Sequence, residues 1–323
     1  MRLSLLDRSR TRSGYPEGDA LRHSVERAVK AESLGYHRFW GAEHHAVPGI
    51  ASGSPAVLLA AVGARTSRIR LGSGGVMLPH HQPLVVAEQF LMLEALHPGR
   101  VDLGLGRTLG FTAPVRRALR QDADDVETFA ADLEELRSYL RREAPVTARP
   151  VTGTAPSLFQ LATGQGLVTA ARLGLPAVIG GPVLHSPELG EAVAAYRRDF
   201  QPSAEAPQPQ VIISLDLYPA ETQEQARELA LPEAWAMARS RETGEFSPLE
   251  PVEQIRQQRW SPRTTSRVEK SLHRMIGGPA GVVVPAVERL MEVTGAEELV
   301  ASTSTYDREA LAGMDAELMR MML

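Results

Sequence analysis

Glu43, His44 and His45 stand side by side at the end of an apolar run, in a chain that has only nine histidines. An imidazole titrates near neutrality, so a histidine there can give or take a proton. Adjacent residues of an extended chain point to opposite sides, so one of the two imidazoles faces a common site directly. A polar surface loop accounts for the same three residues, and spacing alone leaves both readings open. The His-His-acid pattern matches no standard ligand spacing, so no metal site is expected.

Three glycine-bearing stretches supply a second kind of chemistry. "GSGGV" (72–76) places glycines inside a strand, which marks either a bend or a close approach of another group to the backbone. "DLGLGR" (102–107) ends on Arg107, whose guanidinium can grip a phosphate or carboxylate, or form a surface ion pair. "LATGQGLVTAARLG" (161–174) puts Thr163, Gly164 and Gly166 in a turn that opens a helix, where free backbone amides receive an anion. Together these describe a phosphate held after strands four and five, with a planar ring reaching toward strands two and three. That describes flavin mononucleotide (FMN) better than a dinucleotide, because no GxGxxG turn follows the first strand.

The elements that would position these groups alternate along the chain. Strand one is Arg2–Asp7, and a helix follows from about Asp19 to Ser33, with Leu21, Val25, Ala28 and Val29 on its apolar face. "HRFWGAEHH" makes strand two, and Ser54 and Pro55 open the helix "SPAVLLAAVGARTS" as N-cap and N1. "IRLGSGGVMLP", "VDLGLGR", "SLFQLAT", "PAVIGG", "VIISLDLY" and "ELVASTST" continue the strands, each followed by a helical segment, the fourth helix running from Asp124 to Arg142. Eight β-α units predict an α/β fold, a (β/α)8 TIM barrel forming one domain over residues 1–323. Catalytic groups of such barrels lie where strands end, which is where Glu43, His44 and His45 fall. The polar, proline-bearing segment Arg241–Met275 breaks the rhythm after strand seven and reads as a lid insertion.

Composition narrows the function. A net charge of −4 argues against a nucleic-acid surface. The absence of cysteine excludes disulfides and thiolate chemistry. No stretch approaches the roughly 20 apolar residues of a membrane span, and the N-terminal run Leu3–Leu6 is too short for a signal peptide, so a cytoplasmic protein is expected.

The sequence resembles the flavin-dependent luciferase-like monooxygenases, relatives of the bacterial luciferase subunits. The resemblance rests on "SLGYHRFWGAEHH", "TSRIRLGSGGVMLPHHQPLVVAEQFLMLEALHPGR" and "VDLGLGRTLGFTAPVRRALR", and returns at "GPAGVVVPAVERLMEVTGAEELVASTSTYDREAL". It implies a TIM barrel that uses reduced FMN (FMNH2) and oxygen, with His44 as the catalytic residue beside the flavin hydroperoxide. Gly74 and Gly75 match the family's cis peptide against the ring, and Arg107 matches its phosphate arginine. Where relatives carry serines after strand five, this chain reads "ATGQG". Each lost hydrogen bond costs about 0.5–1.5 kcal/mol, so a modest FMN affinity follows. The resemblance implies a two-component enzyme fed by a separate flavin reductase, acting on an aldehyde, a ketone or a secondary metabolite, as in antibiotic biosynthesis. A homodimer packed through "AVLLAAV" and "VVAEQFLMLEAL" is expected, although both stretches could equally face their own barrel. Two alternatives remain: an F420-dependent oxidoreductase with Arg116, Arg117 and Arg120 along its groove, and a non-catalytic flavin-binding subunit.

Overall fold

Strands that are apolar on both faces need cover on both, and the intervening helices provide it by returning each strand parallel to the last. The computed structural model describes residues 1–108, 112–121, 128–162 and 166–322. In it β1 (Arg2–Asp7), β2 (Arg38–Gly41), β3 (Arg70–Met77), β4 (Val101–Gly106), β5 (Ser157–Ala162), β6 (Ala177–Gly180) and β7 (Val211–Leu215) lie in chain order around a closed barrel. Outside it, β8 (Leu217–Pro219) and β9 (Ile276–Gly278) form a two-stranded parallel sheet, and β10 (Glu298–Ala301) closes the ring between β7 and β1. The helices are α1 (Gly18–Leu34), α2 (Pro55–Gly63), α3 (Pro83–Leu96), α4 (Ala113–Ala118), α5 (Thr128–Arg141), α6 (Gly166–Leu173) and α7 (Leu189–Arg198). They continue with α8 (Gln223–Thr243), α9 (Val252–Gln257), α10 (Pro262–Arg274), α11 (Ala280–Thr294) and α12 (Arg308–Met322). The expected (β/α)8 barrel is the fold observed.

Two expectations need correction. The buried face of α1 is Ala20, Ser24, Arg27, Ala28 and Ala31, while Leu21 is exposed. Arg27 turns inward because two carboxylates receive it, Asp315 on α12 at 2.8 Å and Asp7 on β1 at 2.9 Å. Strand seven is not continuous: Asp216 leaves the ladder to meet Arg8 and the Ser302 hydroxyl, and β8 resumes beyond it. The segment 241–275, expected as a lid insertion, is largely helical: α8 runs into it and α9 and α10 occupy much of the rest. It has its own core, in which Trp235 of α8 packs with Ile255, Val268 and Leu272. The proposed start of the fourth helix at Asp124 lies outside the described residues.

The interior of the barrel is layered. Its floor is ionic rather than aliphatic: Arg38 donates to Glu298 at 2.8 Å and to Asp102 at 2.7 Å, and Ser4 donates to Glu298 at 2.6 Å. Asp102 is fully buried and also receives Arg70 and the Trp40 indole. Buried charges survive because each is paired; removing one partner of such a set typically costs about 3–5 kcal/mol. Above this floor Trp40, Phe159, Val178, Ile212 and Val300 fill the lumen.

Trp40 also explains the first glycine of "GSGGV". Trp40, Gly72 and Asp102 are registered neighbours on β2, β3 and β4. A Cβ at position 72 would lie 2.2 Å from the indole nitrogen. The clearance there serves the barrel's own side chain. Gly72→Ala should lower stability by about 1–3 kcal/mol through overpacking, read from the denaturant midpoint. The loss should shrink in a Trp40→Leu background; an equal loss in both backgrounds would break the link between the two residues.

Candidate active site

The mouth of the barrel is built from the residues that follow β1, β2, β3, β7 and β10. Directly after β1 come Arg8, Arg10 and Arg12, all at least largely buried. Arg8 and Arg10 share Glu233 of α8, donating to its two carboxylate oxygens at 2.9 Å each. Arg8 also pairs with Asp216 and donates to the Ser302 carbonyl at 2.5 Å. Arg10 stacks over the Phe246 ring and donates to the Gly49 carbonyl, tying the loop after β2 to the segment after α8. Burial alone would raise the Glu233 carboxyl, but Arg10 and Arg8 outweigh it and hold it below its ordinary value. Pro232, just before Glu233, lacks the backbone donor of a regular helical residue.

After β2, the adjacent residues separate as expected of extended chain. The Glu43 carboxylate is wholly buried and accepts three hydrogen bonds: from Nε2 of His45 at 2.6 Å, from Nε2 of His81 at 2.6 Å, and from the Met77 amide at 3.1 Å. Burial would raise this carboxyl, yet the bonds from His45 and His81, aided by the Met77 amide, bring it down to about 2. The donor atoms of Glu43, His45 and His81 lie within 4.8 Å of one another, a three-member set the spacing of 43–45 could not reveal. The 2.6 Å separations are those of direct hydrogen bonds. Two ligands each about 2.1 Å from one ion would stand roughly 3 Å apart.

His44 lies on the other side, near the arginines. Burial pulls its pKa down to about 4; Arg8 and Arg10 push the same way, and Glu43 opposes them. His44 is therefore a neutral imidazole at pH 7.

The Gly74–Gly75 peptide is cis, at a register shift where β3 passes β4. A Cβ on Gly74 would lie 2.5 Å from Leu6, and one on Gly75 would lie 2.7 Å from the Gly104 carbonyl oxygen. The backbone contact requires glycine at 75, whereas the Leu6 side-chain end facing Gly74 can shift. Gly106 is more open, its added Cβ meeting nothing closer than 3.8 Å, and half-buried Arg107 follows with no ion pair among the described residues. Gly166 opens α6, and its carbonyl accepts from Gln160 of β5 at 3.3 Å. Thr163 and Gly164 lie outside the described residues. Gly106 and Arg107 thus stand at the end of β4, and α6 opens after the neighbouring strand β5. An open backbone, a cation and a helix start at adjacent strand ends suit an anionic planar ligand, and in that respect the residues fit FMN.

Arg8, Arg10, His81, Asp216 and Glu233 were not singled out by sequence reasoning. Arg8, Arg10 and Arg12 had a legible signal, since alternate arginines directly after a barrel strand point to one side of an extended chain. His81 had none, because only the pairing of β2 with β3 brings it to Glu43.

A barrel of parallel strands with a charged, histidine-bearing mouth at the strand ends defines a TIM-barrel enzyme. The family description "luciferase-like monooxygenase" matches residues 1–298, and the chain belongs to that family of oxidoreductases. A luciferase-like monooxygenase of Escherichia coli is 35% identical over 315 residues, covering 95% of this chain and 92% of that protein. An N-acetyl-S-alkylcysteine monooxygenase of Bacillus subtilis is 40% identical over 216 residues, covering 64% of this chain and 65% of that one. The crystal structure of apo-MsnO8 superposes with a TM-score of 0.90 at 33% identity, covering 99% of this chain and 98% of that chain. No helix among the described residues is long and apolar enough to cross a membrane.

The depressed His44 pKa sets a pH dependence. Below the unfolded-state value near 6.5, the unfolded chain binds a proton that folded His44 refuses, so stability falls as pH drops from about 6.5 to about 4. His23, brought down to about 4 mainly by burial, acts in the same window. Glu43 contributes above its ordinary value of 4.5 and loses that contribution only as pH falls toward about 2. Denaturant midpoints at pH 7.5, 6 and 5 should decline in the parent and decline less in His44→Asn. An unchanged slope in the variant would contradict a buried neutral His44.

Proposed function

We infer that the protein is a two-component FMN-dependent monooxygenase. The observation that carries this reading is the neutral His44 imidazole, held at the barrel mouth beside paired arginines in a chain of this family. Reduced FMN, when bound, supplies the two electrons with which O2 delivers one oxygen atom to an organic substrate and the other to water. Arg107 and the amides at the start of α6 would hold the phosphate. The backbone at Gly74–Gly75 and Gly106 would take the ring. His44, neutral at working pH, accepts a proton or hydrogen bond there, and Glu43 fixes His45 and His81 at the adjoining wall. The α8–α10 excursion covers the mouth and excludes water. A separate reductase supplies the reduced flavin.

The subunit pairs with a second copy through α2 and α3. Both helices bury one face on the barrel, through Leu58, Leu59, Val62, Val86, Phe90 and Leu93. They also leave apolar side chains outward: Val57 is 71% exposed, Leu96 65%, Met92 55% and Val85 46%. Val85, Met92 and Leu96 recur at helical spacing along one stripe of α3, as a packed face requires.

Rapid mixing tests the chemistry. Protein loaded anaerobically with reduced FMN and mixed with oxygenated buffer should regain oxidised-flavin absorbance about tenfold more slowly than free reduced FMN, because the site excludes water. His44→Ala should abolish most of that delay. Oxidation as fast as in free solution, with the same trace in the variant, would remove the monooxygenase reading and turn attention to F420 or to passive flavin binding. Light scattering tests the assembly: the parent should run as a dimer at micromolar concentration and Met92→Glu/Leu96→Glu as a monomer. A monomeric parent would defeat the pairing.

A further inference from the structure

A cavity of about 470 Å³ opens between the ends of β6 and β7 and the helices α8 and α10. That volume suits one small molecule. Its wall is apolar at Leu184, Leu215, Met237, Leu272 and Met275. None of Gly74, Gly75 and Arg107 lines it, so it is separate from the backbone and cation assigned above to the flavin.

Charge around this cavity is one-sided. Its two acids are already occupied, Asp216 by Arg8 and Glu233 by Arg8 and Arg10. Four cations also line it: Arg241 at the end of α8, and Arg267, Lys270 and Arg274 on α10. None of the four forms an ion pair among the described residues, and Arg267 acts on Glu242 only through space. A buried Nη1 of Arg267 has no hydrogen-bond partner among the described residues. Three other arginines of α8 and α9 are paired. Arg227 pairs with Glu269 at 2.7 Å, Arg239 with Glu242 at 3.2 Å, and Arg256 with Glu228. Arg259 and Arg263 also lack an acidic partner among the described residues and lie outside the cavity, whereas Arg241, Arg267, Lys270 and Arg274 are gathered at its wall.

We propose that the cavity binds the organic substrate and that this substrate is an oxyanion, in the simplest case a carboxylate on an apolar body. The inference rests on the monooxygenase reading for calling the ligand a substrate. The apolar wall takes the body. Arg267 meets the anion through charge-assisted hydrogen bonds, and Arg241, Lys270 and Arg274 raise the local potential that draws it in. The α8–α10 excursion then acts as a selector for charge as well as a cover.

Calorimetry with two matched pairs tests this: 2-naphthoate against 2-naphthamide, and 4-phenylbutanoate against 4-phenylbutanamide. In at least one pair the carboxylate should bind about tenfold more tightly than the amide, and added salt should weaken that preference. The preference should fall about fivefold or more in Arg267→Met/Lys270→Met, while Kd for FMN stays within about twofold. Equal affinities in both pairs, or no measurable binding of either carboxylate, would overturn the assignment. A parallel loss of FMN affinity in the double variant would give the basic rim to the cofactor phosphate and equally overturn it. The measurement consumes no oxygen, so the two readings fail separately. A carboxylate preference in a protein that leaves oxidation of reduced FMN unaltered would sink the monooxygenase reading alone.

Discussion

Two arginines sharing one buried glutamate organise the mouth of this barrel. Arg8 and Arg10 leave β1 on the same side and converge on Glu233, which α8 carries in from beyond β7. Three charges out of water are tolerable only as a set, because an unpaired buried ion costs several kcal/mol. The set therefore locks β1, α8 and, through Asp216 and Ser302, the ends of β7 and β10 into one geometry. It also reinforces the neutrality of His44, which follows first from burial and then from both guanidiniums.

The opposite end of the barrel solves the same problem with different residues. Arg38, Asp102 and Glu298 plug the floor, and Trp40 stands directly above them, its indole nitrogen bonded to Asp102 at 3.2 Å. The bulk of Trp40 in a narrow lumen demands glycine opposite it on β3; at Gly74 an added Cβ would meet Leu6 first, with Trp40 at 3.3 Å. The glycines of "GSGGV" thus have an internal reason to be there. A ligand placed against their backbone uses clearance that the barrel itself requires.

At the rim, Glu43 converts a polar tripeptide into a rigid wall. Its carboxylate is fully buried and stays ionised because two imidazoles and one amide donate to it. His45 is therefore held at Glu43, and His81, a few residues beyond β3, completes the arrangement. The two histidines of the motif have separate environments despite their adjacency: one braces, and the other sits neutral beside the arginines.

Much of this was legible in the chain. Alternating apolar strands and amphipathic helices are local patterns, so the eight β-α units and the placement of Glu43-His44-His45 at a strand end follow from sequence periodicity. The α1 face was misread because Arg27 and Ser24 are polar, and their burial depends on Asp7 and Asp315, the latter nearly three hundred residues away. The helices of the 241–275 segment were not legible because its polar α10 buries only Thr264, Val268 and Leu272, and the partners for that narrow stripe lie on α8. Sequence alone determined the fold class, the family resemblance and which residue types stand at the mouth, since those depend on local periodicity and motif. Only the tertiary structure decided that Arg8 and Arg10 are buried, that Glu233 and His81 belong to the site, and that the cations of α10 face a cavity. Ion pairing and burial join residues through space, and their energies depend on distances that chain order does not encode.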